Sequence, residues 1–388
     1  MGYFFSFLWY FFQIAIGYNL VLPLLLFIIY QCIPKKKKAD IAINAEADYA
    51  IIVTAYEQTD LLPSVVKSIL HLNYSNYLIY IVADKCDISN LHFESDKVIL
   101  LRPENTLASN TRSHFYAINR FKRAHERLAI IDSDNVLDPN FLQELNVFFN
   151  KGYKAVQGLR DAKNIDTTVA ALDAARDIYY HYYDGKILFG VGSSATLSGS
   201  GMAFTVNLYK QCLAHLDIIG AGFDKVLQKQ IVLAGERIAF APKAIVLDEK
   251  TSKTDQLVNQ RARWINTWFR YFTFGFGLIA KGISRLSWNQ FLFGLVLVRP
   301  PLFIFLLLSA IMMFANLFID FSIAIYWVIG FFLFIVGFII SLINSHTPAT
   351  VYRSLWGIPT FIFYQIVSLF RAKTANKRSV ATKHFHKK

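Results

Sequence analysis

Three long runs of apolar residues restrict this chain to folds that place part of it inside a membrane. Residues 4–30 contain no charged side chain, and a helix of that length extends about 40 Å, more than the roughly 30 Å hydrocarbon core of a bilayer. Residues 302–319 and 321–343 are two further apolar runs, separated by Asp320 alone. Because backbone groups inside lipid must be hydrogen-bonded within the segment, we expect one transmembrane anchor and one helical hairpin.

Lysines beside the first run predict the orientation of the chain. Residues 35–38 are all lysine, and cytoplasmic segments of membrane proteins are enriched in basic side chains. We therefore expect an N-terminus outside the cell, a cytoplasmic middle segment and a hairpin turn on the outer side. Residues 355–370 are short for a span and contain Gly357 and Pro359, which favours an interfacial helix. The tail should stay cytoplasmic; its basic residues are Arg371, Lys373, Lys377, Arg378, Lys383, Lys387 and Lys388.

The net charge of +13 indicates a lipid bilayer as partner and no nucleic acid. Much of the basic character lies next to the membrane runs, where anionic headgroups attract it. The cysteines Cys32, Cys86 and Cys212 are odd in number and lack the spacing of a metal site or a disulfide framework. They fit a reducing compartment, as expected for a central segment that faces the cytoplasm.

The middle of the chain, residues 48–249, has the composition of an α/β domain, in which short β-branched runs alternate with helical patterns. We predict strands over residues 49–54, 77–83, 98–101 and 128–131. In an open parallel sheet, ligands bind at the carboxyl ends of the strands. Three of these ends carry Tyr56, Asp84 and the segment 132–134, so we expect them to share one crevice.

Asp132 and Asp134 follow an apolar strand two residues apart. Two carboxylates this close repel each other unless a cation or a strong donor relieves them. Hard carboxylate oxygens suit Mg²⁺ or Mn²⁺, and a cation–diphosphate complex would provide that relief. An acidic turn that caps the helix near Pro139 explains the same pattern with equal weight. Asp84 alone is explained equally well by turn chemistry.

Gln260, Arg263 and Trp264 have the spacing i, i+3 and i+4, so all three project from one face of a helix. A guanidinium suits phosphate oxygens, and an indole offers a flat apolar face to a sugar ring. The alternative is an ordinary amphipathic helix at the membrane surface.

Asp224 is the candidate general base, because an acceptor hydroxyl must lose a proton when it attacks a sugar carbon. Taken alone, its sequence context is explained better by an acid at a helix N-terminus.

The order of Asp84, Asp132-Ser133-Asp134, Asp224 and Gln260-Arg261-Ala262-Arg263-Trp264 resembles the signature of membrane-bound glycosyltransferase family 2. That group includes the cellulose, chitin and hyaluronan synthases, with the pattern D, DxD, (T/E)D and Q/RxxRW. The resemblance covers residues 48–264 and extends into residues 299–301 and the ATKH stretch near the C-terminus, which resemble bacterial members. It implies an α/β fold of the GT-A type, Rossmann-like with a mostly parallel sheet, in a cytosolic domain joined to transmembrane helices.

The resemblance also implies three groups of site residues. The nucleotide-sugar donor would be held by Thr54, Tyr56, Asp84, Arg112, Asp132, Gln260 and Arg263. The acceptor would lie beside Trp264, Gly199, Ser200 and Gly201. Asp224 would be the catalytic base, and Asp132 and Asp134 would hold the metal.

We therefore predict an inverting hexosyltransferase that uses Mg²⁺ or Mn²⁺. It would transfer a sugar from a UDP-sugar to a growing β-linked polysaccharide at the cytoplasmic face of a bacterial inner membrane. One alternative is a lipid acceptor, as in enzymes similar to ceramide glucosyltransferases. A minor alternative is a non-catalytic sugar-nucleotide-binding partner, because Phe223 stands where the family usually has Glu. The sequence does not identify partner subunits.

The predicted domains follow the chain in order. They are a transmembrane anchor over residues 1–34, a GT-A domain over 45–264, interfacial helices over 265–299, a transmembrane hairpin over 300–343, and an interfacial helix with a basic tail over 344–388.

Overall fold

Eight strands form one mixed sheet in the computed structural model, which describes residues 2–34 and 46–375. The strands are β1 Tyr49–Tyr56, β2 Tyr77–Asp84, β3 Val98–Leu101, β4 Arg127–Asp132, β5 Val136–Leu137, β6 Ala155–Ala162, β7 Met202–Thr205 and β8 Ile238–Asp248. Their order across the sheet is β3-β2-β1-β4-β7-β6-β8-β5. The pairs β1–β2, β1–β4, β2–β3 and β6–β8 are parallel, whereas β7 and β5 run antiparallel to their neighbours. The predicted α/β fold with a mostly parallel sheet is confirmed, and each of the four predicted strands is present.

Helices cover both faces of the sheet. They are α2 Leu62–Leu70, α3 Asn110–Ile118, α4 Phe141–Phe149, α5 Thr168–Tyr180, α6 Leu188–Gly190, α7 Val206–Leu213 and α8 Phe223–Leu233. Successive strand side chains point to opposite faces, so Ile51 and Val53 pack with α2 and α4 while Ile52 packs with α3, α7 and α8. Burial on both faces explains why these strands are continuous apolar runs rather than alternating ones.

Three helices within the described ranges are long and apolar enough to cross a membrane, which matches the three predicted runs. They are α1 Gly2–Cys32, α12 Leu302–Ile319 and α13 Phe321–Asn344. Asp320 separates α12 from α13, and its side chain accepts the backbone N–H of Ser322 at 3.0 Å, which caps α13. The helices therefore form an anchor and a tight hairpin.

A buried polar cluster joins these three helices. The Gln13 Oε1 atom accepts hydrogen bonds from Trp327 Nε1 at 2.6 Å and from Asn316 Nδ2 at 3.1 Å. Interhelical hydrogen bonds of this kind stabilise packing where no water is available to replace them. The cluster thus connects α1 with both arms of the hairpin.

Shorter helices connect the sheet domain with the membrane segments. They are α9 Thr254–Tyr271, α10 Phe274–Ser284, α11 Trp288–Val298, α14 Ala349–Ser354 and α15 Ile358–Arg371, with 3-10 turns at Leu355–Gly357 and Ala372–Thr374. The segment predicted to be interfacial, residues 355–370, is not among the candidate spans. It forms most of α15, which packs along α9. The domain boundary predicted at residue 264 falls inside α9, so the domain limits remain predictions.

A π-helix at His181–Ile187 extends α5 and contacts the candidate membrane spans. Tyr183 donates its hydroxyl to the Gly337 carbonyl of α13 at 2.8 Å. Asp184 forms a buried ion pair with Arg299, which precedes α12. The sheet domain is therefore fixed to the hairpin by polar contacts as well as by apolar packing. The predicted lysine cluster 35–38, the tail beyond residue 375 and the ATKH stretch lie outside the described residues.

Candidate active site

A cavity of about 860 Å³ opens at the carboxyl ends of β1 and β4. These strands are parallel neighbours, and Thr54 is paired with Asp132, so their ends meet at one edge of the sheet. The cavity brings together residues that are far apart in sequence. The predicted site residues in its lining are Thr54, Tyr56, Asp132, Asp134, Gly199, Asp224, Gln260 and Trp264.

Asp132 and Asp134 are partly buried side by side in this cavity. Burial, followed by the charge of Asp134, raises the pKa of Asp132, and Asp224 acts on it in the same direction. Burial, followed by the charge of Asp248, raises the pKa of Asp134. Arg160 opposes both shifts but does not overcome them. Burial and the neighbouring carboxylates thus both disfavour the ionised forms of this pair, and a bound cation would relieve both effects.

This arrangement fits a divalent cation that is shared with a ligand. Within residues 2–34 and 46–375 there is no group of three or more His, Cys, Asp or Glu side chains that could hold a metal ion by itself. Mg²⁺ is commonly bound by only one or two carboxylates together with phosphate oxygens. Asp132 and Asp134 offer two carboxylates, which is the number that such a site takes from the protein.

Asp224 lies in the first turn of α8 and is held close to α9. Gly222 precedes the helix with a φ of 103°, a conformation that glycine adopts without strain. A Cβ atom at this position would lie 2.4 Å from the Tyr271 ring and 2.8 Å from Thr267. Both of those residues line the cavity. The glycine therefore permits the close approach of the first turn of α8, which carries Asp224, to Thr267 and Tyr271 of α9.

The neighbours of Asp224 have different environments. Its Oδ2 atom lies 3.0 Å from Lys225 Nζ, and both side chains line the cavity. Phe223, which stands in place of the usual Glu, is buried with its ring 5.1 Å from that of His114. Phe223 therefore packs against the apolar core and also lines the cavity, and the Asp224 carboxylate next to it belongs to the same lining.

The indole of Trp264 is in contact with two arginines. The guanidinium carbons of Arg176 and Arg261 lie 4.3 Å and 4.1 Å from its ring centroid. The ring is 39% exposed and lines the cavity. Gln260, one helical turn earlier, accepts a hydrogen bond from Thr251 at 3.3 Å.

Residues 47–267 match the family model described as "Glycosyltransferase like family 2", which covers more than half of the chain. This protein is a glycosyltransferase of family 2. The predicted family and the predicted transferase activity are confirmed. No curated protein matches the chain.

Two solved structures are similar to this glycosyltransferase. The mannosyltransferase PcManGT from Pyrobaculum calidifontis, solved in complex with GDP-Man and Mn²⁺, has a TM-score of 0.56 at 13% identity, over 93% of this chain and 98% of that one. The S. aureus protein TarS 1-349, solved with UDP-GlcNAc, has a TM-score of 0.41 at 13% identity, over 84% of this chain and 90% of that one. The likeness to the mannosyltransferase supports the GT-A assignment of the fold.

Several predicted site residues of the glycosyltransferase are outside the cavity lining. Asp84 is buried, and its two carboxylate oxygens accept the backbone N–H groups of Leu107 at 2.9 Å and Ala108 at 2.7 Å. Arg112 forms a bidentate ion pair with Asp217, at 2.8 and 2.6 Å, beside a separate smaller pocket. The structure does not bring Arg112 to the Asp132–Asp134 pair.

The other predicted residues outside the lining are Arg263, Ser200 and Gly201. Ser200 lies beneath Asp132 and its Oγ atom accepts the Asp132 backbone N–H at 3.0 Å. The Gly201 N–H donates to the Ile130 carbonyl at 3.0 Å. These two loop residues therefore support the strand end, and Gly199 alone of the three faces the cavity.

The sequence analysis did not predict a further set of charged residues that line the same cavity. They are Arg160, Arg176, Asp177, Asp184, Asp248, Glu249, Lys250 and Arg299. Two signals were available for some of them. Asp248 is the last residue of the apolar strand β8 and Lys250 follows it closely, and Arg176 and Asp177 are charged residues within the Ala- and Tyr-rich helix α5. Charges on an otherwise apolar helix favour a buried polar contact.

Proposed function

We propose that this family 2 glycosyltransferase catalyses the inverting, metal-dependent transfer of a sugar from a UDP-sugar to a growing β-linked polysaccharide. The observation that carries this proposal is the common cavity of Asp132, Asp134, Asp224 and Trp264. These residues come from β4, the loop after it, α8 and α9, and no purely structural role requires all four in one place.

The reaction is a single displacement. Asp224 accepts the proton of an acceptor hydroxyl at a carboxylate oxygen while that hydroxyl oxygen attacks the anomeric carbon. The bond between that carbon and the diphosphate oxygen breaks on the opposite face, which inverts the configuration. Asp132 and Asp134 would hold a divalent cation, and such an ion would supply positive charge to offset the charge of the leaving diphosphate. Lys225 orients the Asp224 carboxylate through its contact of 3.0 Å.

The acceptor side of the cavity supports a carbohydrate. Aromatic side chains line the wall that α9 contributes, namely Trp264, Trp268, Tyr271 and Phe272. Flat aromatic faces suit the apolar faces of sugar rings. A row of such rings beside Asp224 is consistent with the repeated sugars of a polysaccharide.

A lipid acceptor is the second candidate, and a specific part of the lining favours it. The lining includes Val296 and Leu297 of α11 and the pair Pro300–Pro301, which directly precedes α12. These residues are apolar and lie next to candidate spans. A lipid with its hydroxyl at Asp224 could place its hydrocarbon part against them.

The product separates the two acceptors. We would incubate purified protein with a panel of UDP-sugars and Mn²⁺ or Mg²⁺, measure UDP release, and determine the product mass. A water-soluble polymer supports the polysaccharide, and one sugar on an organic-extractable lipid supports the second candidate. Binding of a UDP-sugar with no transfer to any acceptor would contradict both.

We further propose that the sheet domain lies on the cytoplasmic side of a bacterial inner membrane with the N-terminus outside. The three candidate spans place residue 2 and the segment after α13 on opposite sides. The lysines at residues 35–38 favour the cytoplasmic side for the sheet domain. The α12–α13 turn would then face the outside.

A further inference from the structure

Helix α5 carries three charged residues that meet the helix of Trp264. Asp173, Arg176 and Asp177 have the spacing i, i+3 and i+4 and therefore share one face. Asp173 forms an ion pair with Arg261 of α9, and both side chains are only 3% exposed. Asp173 also lies 3.4 Å from Arg176, and Arg176 forms a second ion pair with Asp177. One buried carboxylate thus contacts two guanidinium groups.

The same two guanidinium groups lie over the indole of Trp264, at 4.3 Å for Arg176 and 4.1 Å for Arg261. A guanidinium held over an indole contributes about 0.5–2 kcal/mol, with the larger values at desolvated sites. The Nε and Nη1 atoms of Arg261 have no hydrogen-bond partner in the part of the chain that the structure describes. The position of Arg261, and with it that of the ring, therefore depends strongly on Asp173.

The ion pairs continue from α5 to the carboxylates at the end of β4. Lys250 is buried, with its Nζ atom 2.6 Å from Asp177 and 2.9 Å from Asp248. Asn135 Nδ2 donates to Asp248 at 3.2 Å and to Asp134 at 3.1 Å. An unbroken series of polar contacts thus runs from the proposed metal-binding residues to the indole at the acceptor end of the cavity.

We propose that Asp173 is a positioning residue for the acceptor site. It holds Arg176 and Arg261 together over Trp264 and so fixes the orientation in which the indole meets the acceptor. Without its charge the two guanidinium groups repel each other, and the ring loses its fixed support. The proposal rests on the proposed function in one respect, namely that Trp264 contacts the acceptor.

The first test needs no substrate. The near-ultraviolet circular dichroism of Trp264 is obtained by subtracting the spectrum of Trp264→Phe from that of the wild type. The same difference is then taken between Asp173→Asn and the Asp173→Asn/Trp264→Phe double variant. We expect the Trp264 signal to fall at least twofold in the Asp173→Asn background. An unchanged signal overturns the proposal whatever the enzyme's activity.

The second test separates positioning from a general structural role. UDP release with water alone as acceptor reports the donor side, and transfer to a β-linked glucose or N-acetylglucosamine oligosaccharide reports the acceptor side. For Asp173→Asn we expect an increase of about tenfold in the acceptor KM, the size of one lost contact of this kind, with donor hydrolysis retained within about twofold. An equal loss of both activities would show a merely structural residue. A wild type that transfers no sugar would contradict the proposed function, whereas the spectroscopic result would still decide the positioning role.

Asp48→Asn is the matched control. Asp48 also forms a partly buried ion pair, with Arg123 at 2.7 Å, but it precedes β1 at the end of the strand opposite the cavity. This variant should leave both the Trp264 signal and the acceptor KM unchanged. If Asp173→Asn does not fold, Arg176→Gln removes one guanidinium and keeps the Asp173–Arg261 pair. For Arg176→Gln we expect a smaller fall in the Trp264 circular dichroism signal and a smaller increase in the acceptor KM. The absence of both changes overturns the proposal.

Discussion

Replacing Gly222 with alanine tests how tightly the Asp224 helix must approach α9. The residue has a φ of 103°, and an alanine in this left-handed region costs about 1–2 kcal/mol. The new Cβ atom would also lie 2.4 Å from the Tyr271 ring and 2.8 Å from Thr267. Overpacking of this kind costs a further 1–3 kcal/mol or so. We therefore expect Gly222→Ala to lower the free energy of unfolding by roughly 2–5 kcal/mol, unless the helix moves.

Movement of the helix would appear in the kinetics. The clash can be relieved by shifting the first turn of α8 away from α9, and Asp224 lies in that turn. A displacement of about 1 Å at a reacting group can lower the rate about 100-fold. If the helix stays in place, we expect Gly222→Ala to lose stability. If the helix moves and the protein stays folded, we expect kcat to fall at least about tenfold.

Gly235→Ala is a control on the other end of the same helix. Gly235 has a φ of 83° and nothing within 4 Å of the position of an added Cβ atom. It therefore carries the conformational cost of about 1–2 kcal/mol without the clash. Thermal unfolding in detergent and steady-state UDP release would be compared for both variants. If they lose the same stability and both keep wild-type kcat, the close approach at Gly222 does not position Asp224.

Three further outcomes follow from other contacts. Burial lowers the pKa of His114 to about 3, below the ordinary value of about 6.5. As the pH decreases, His114 therefore binds a proton in the unfolded chain before it does so in the folded protein. The free energy of unfolding should fall as the pH decreases from about 6.5 toward 3. His114→Gln should reduce that slope in thermal unfolding scans; an unchanged slope would contradict the assignment. Gln13→Leu removes the acceptor of the Trp327 indole N–H and the donor to the Asn316 side-chain oxygen, whereas Asn316 Nδ2 keeps its hydrogen bond to the Met312 carbonyl. We expect a loss of roughly 1–2 kcal/mol in unfolding experiments, which Phe11→Leu on the exposed side of α1 should not show. The α12–α13 turn is proposed to face the outside of the cell. A membrane-impermeant maleimide should therefore label a Ser322→Cys variant, made in a Cys32→Ser background, in intact cells. Labelling only in inverted vesicles would show the opposite orientation.

The strands and the acidic motifs could be predicted because their signals are local. A continuous apolar run closed by a polar turn is a property of a few neighbouring residues, and the rule that parallel strand ends share an edge then brings Thr54 and Asp132 together. The membrane runs are equally local. Gln260 and Trp264 reach the cavity for the same reason, since helical spacing alone assigns them to one face.

The remainder of the site depends on contacts between distant segments. Helical spacing groups Arg263 with Gln260 and Trp264, yet the packing of α9 against α5 buries Arg261 and places its guanidinium over the indole. Arg112 occupies the position at which the resemblance implies a donor-binding residue. Its ion-pair partner, Asp217, comes from a loop about a hundred residues later in the chain. Neither outcome is encoded in the local pattern, because each is decided by which segments meet after folding.

The most direct test of the proposed active site is the turnover of donor by Asp224→Asn. Wild type, Asp224→Asn and Asp96→Asn would be compared for transfer of sugar from the preferred UDP-sugar, at equal amounts of folded protein. Asp96 is exposed and lies outside the cavity, so its variant should keep wild-type activity. Loss of the general base should lower kcat by about 100- to 10,000-fold. An Asp224→Asn enzyme that retains wild-type kcat would contradict the assignment of this cavity as the site of sugar transfer.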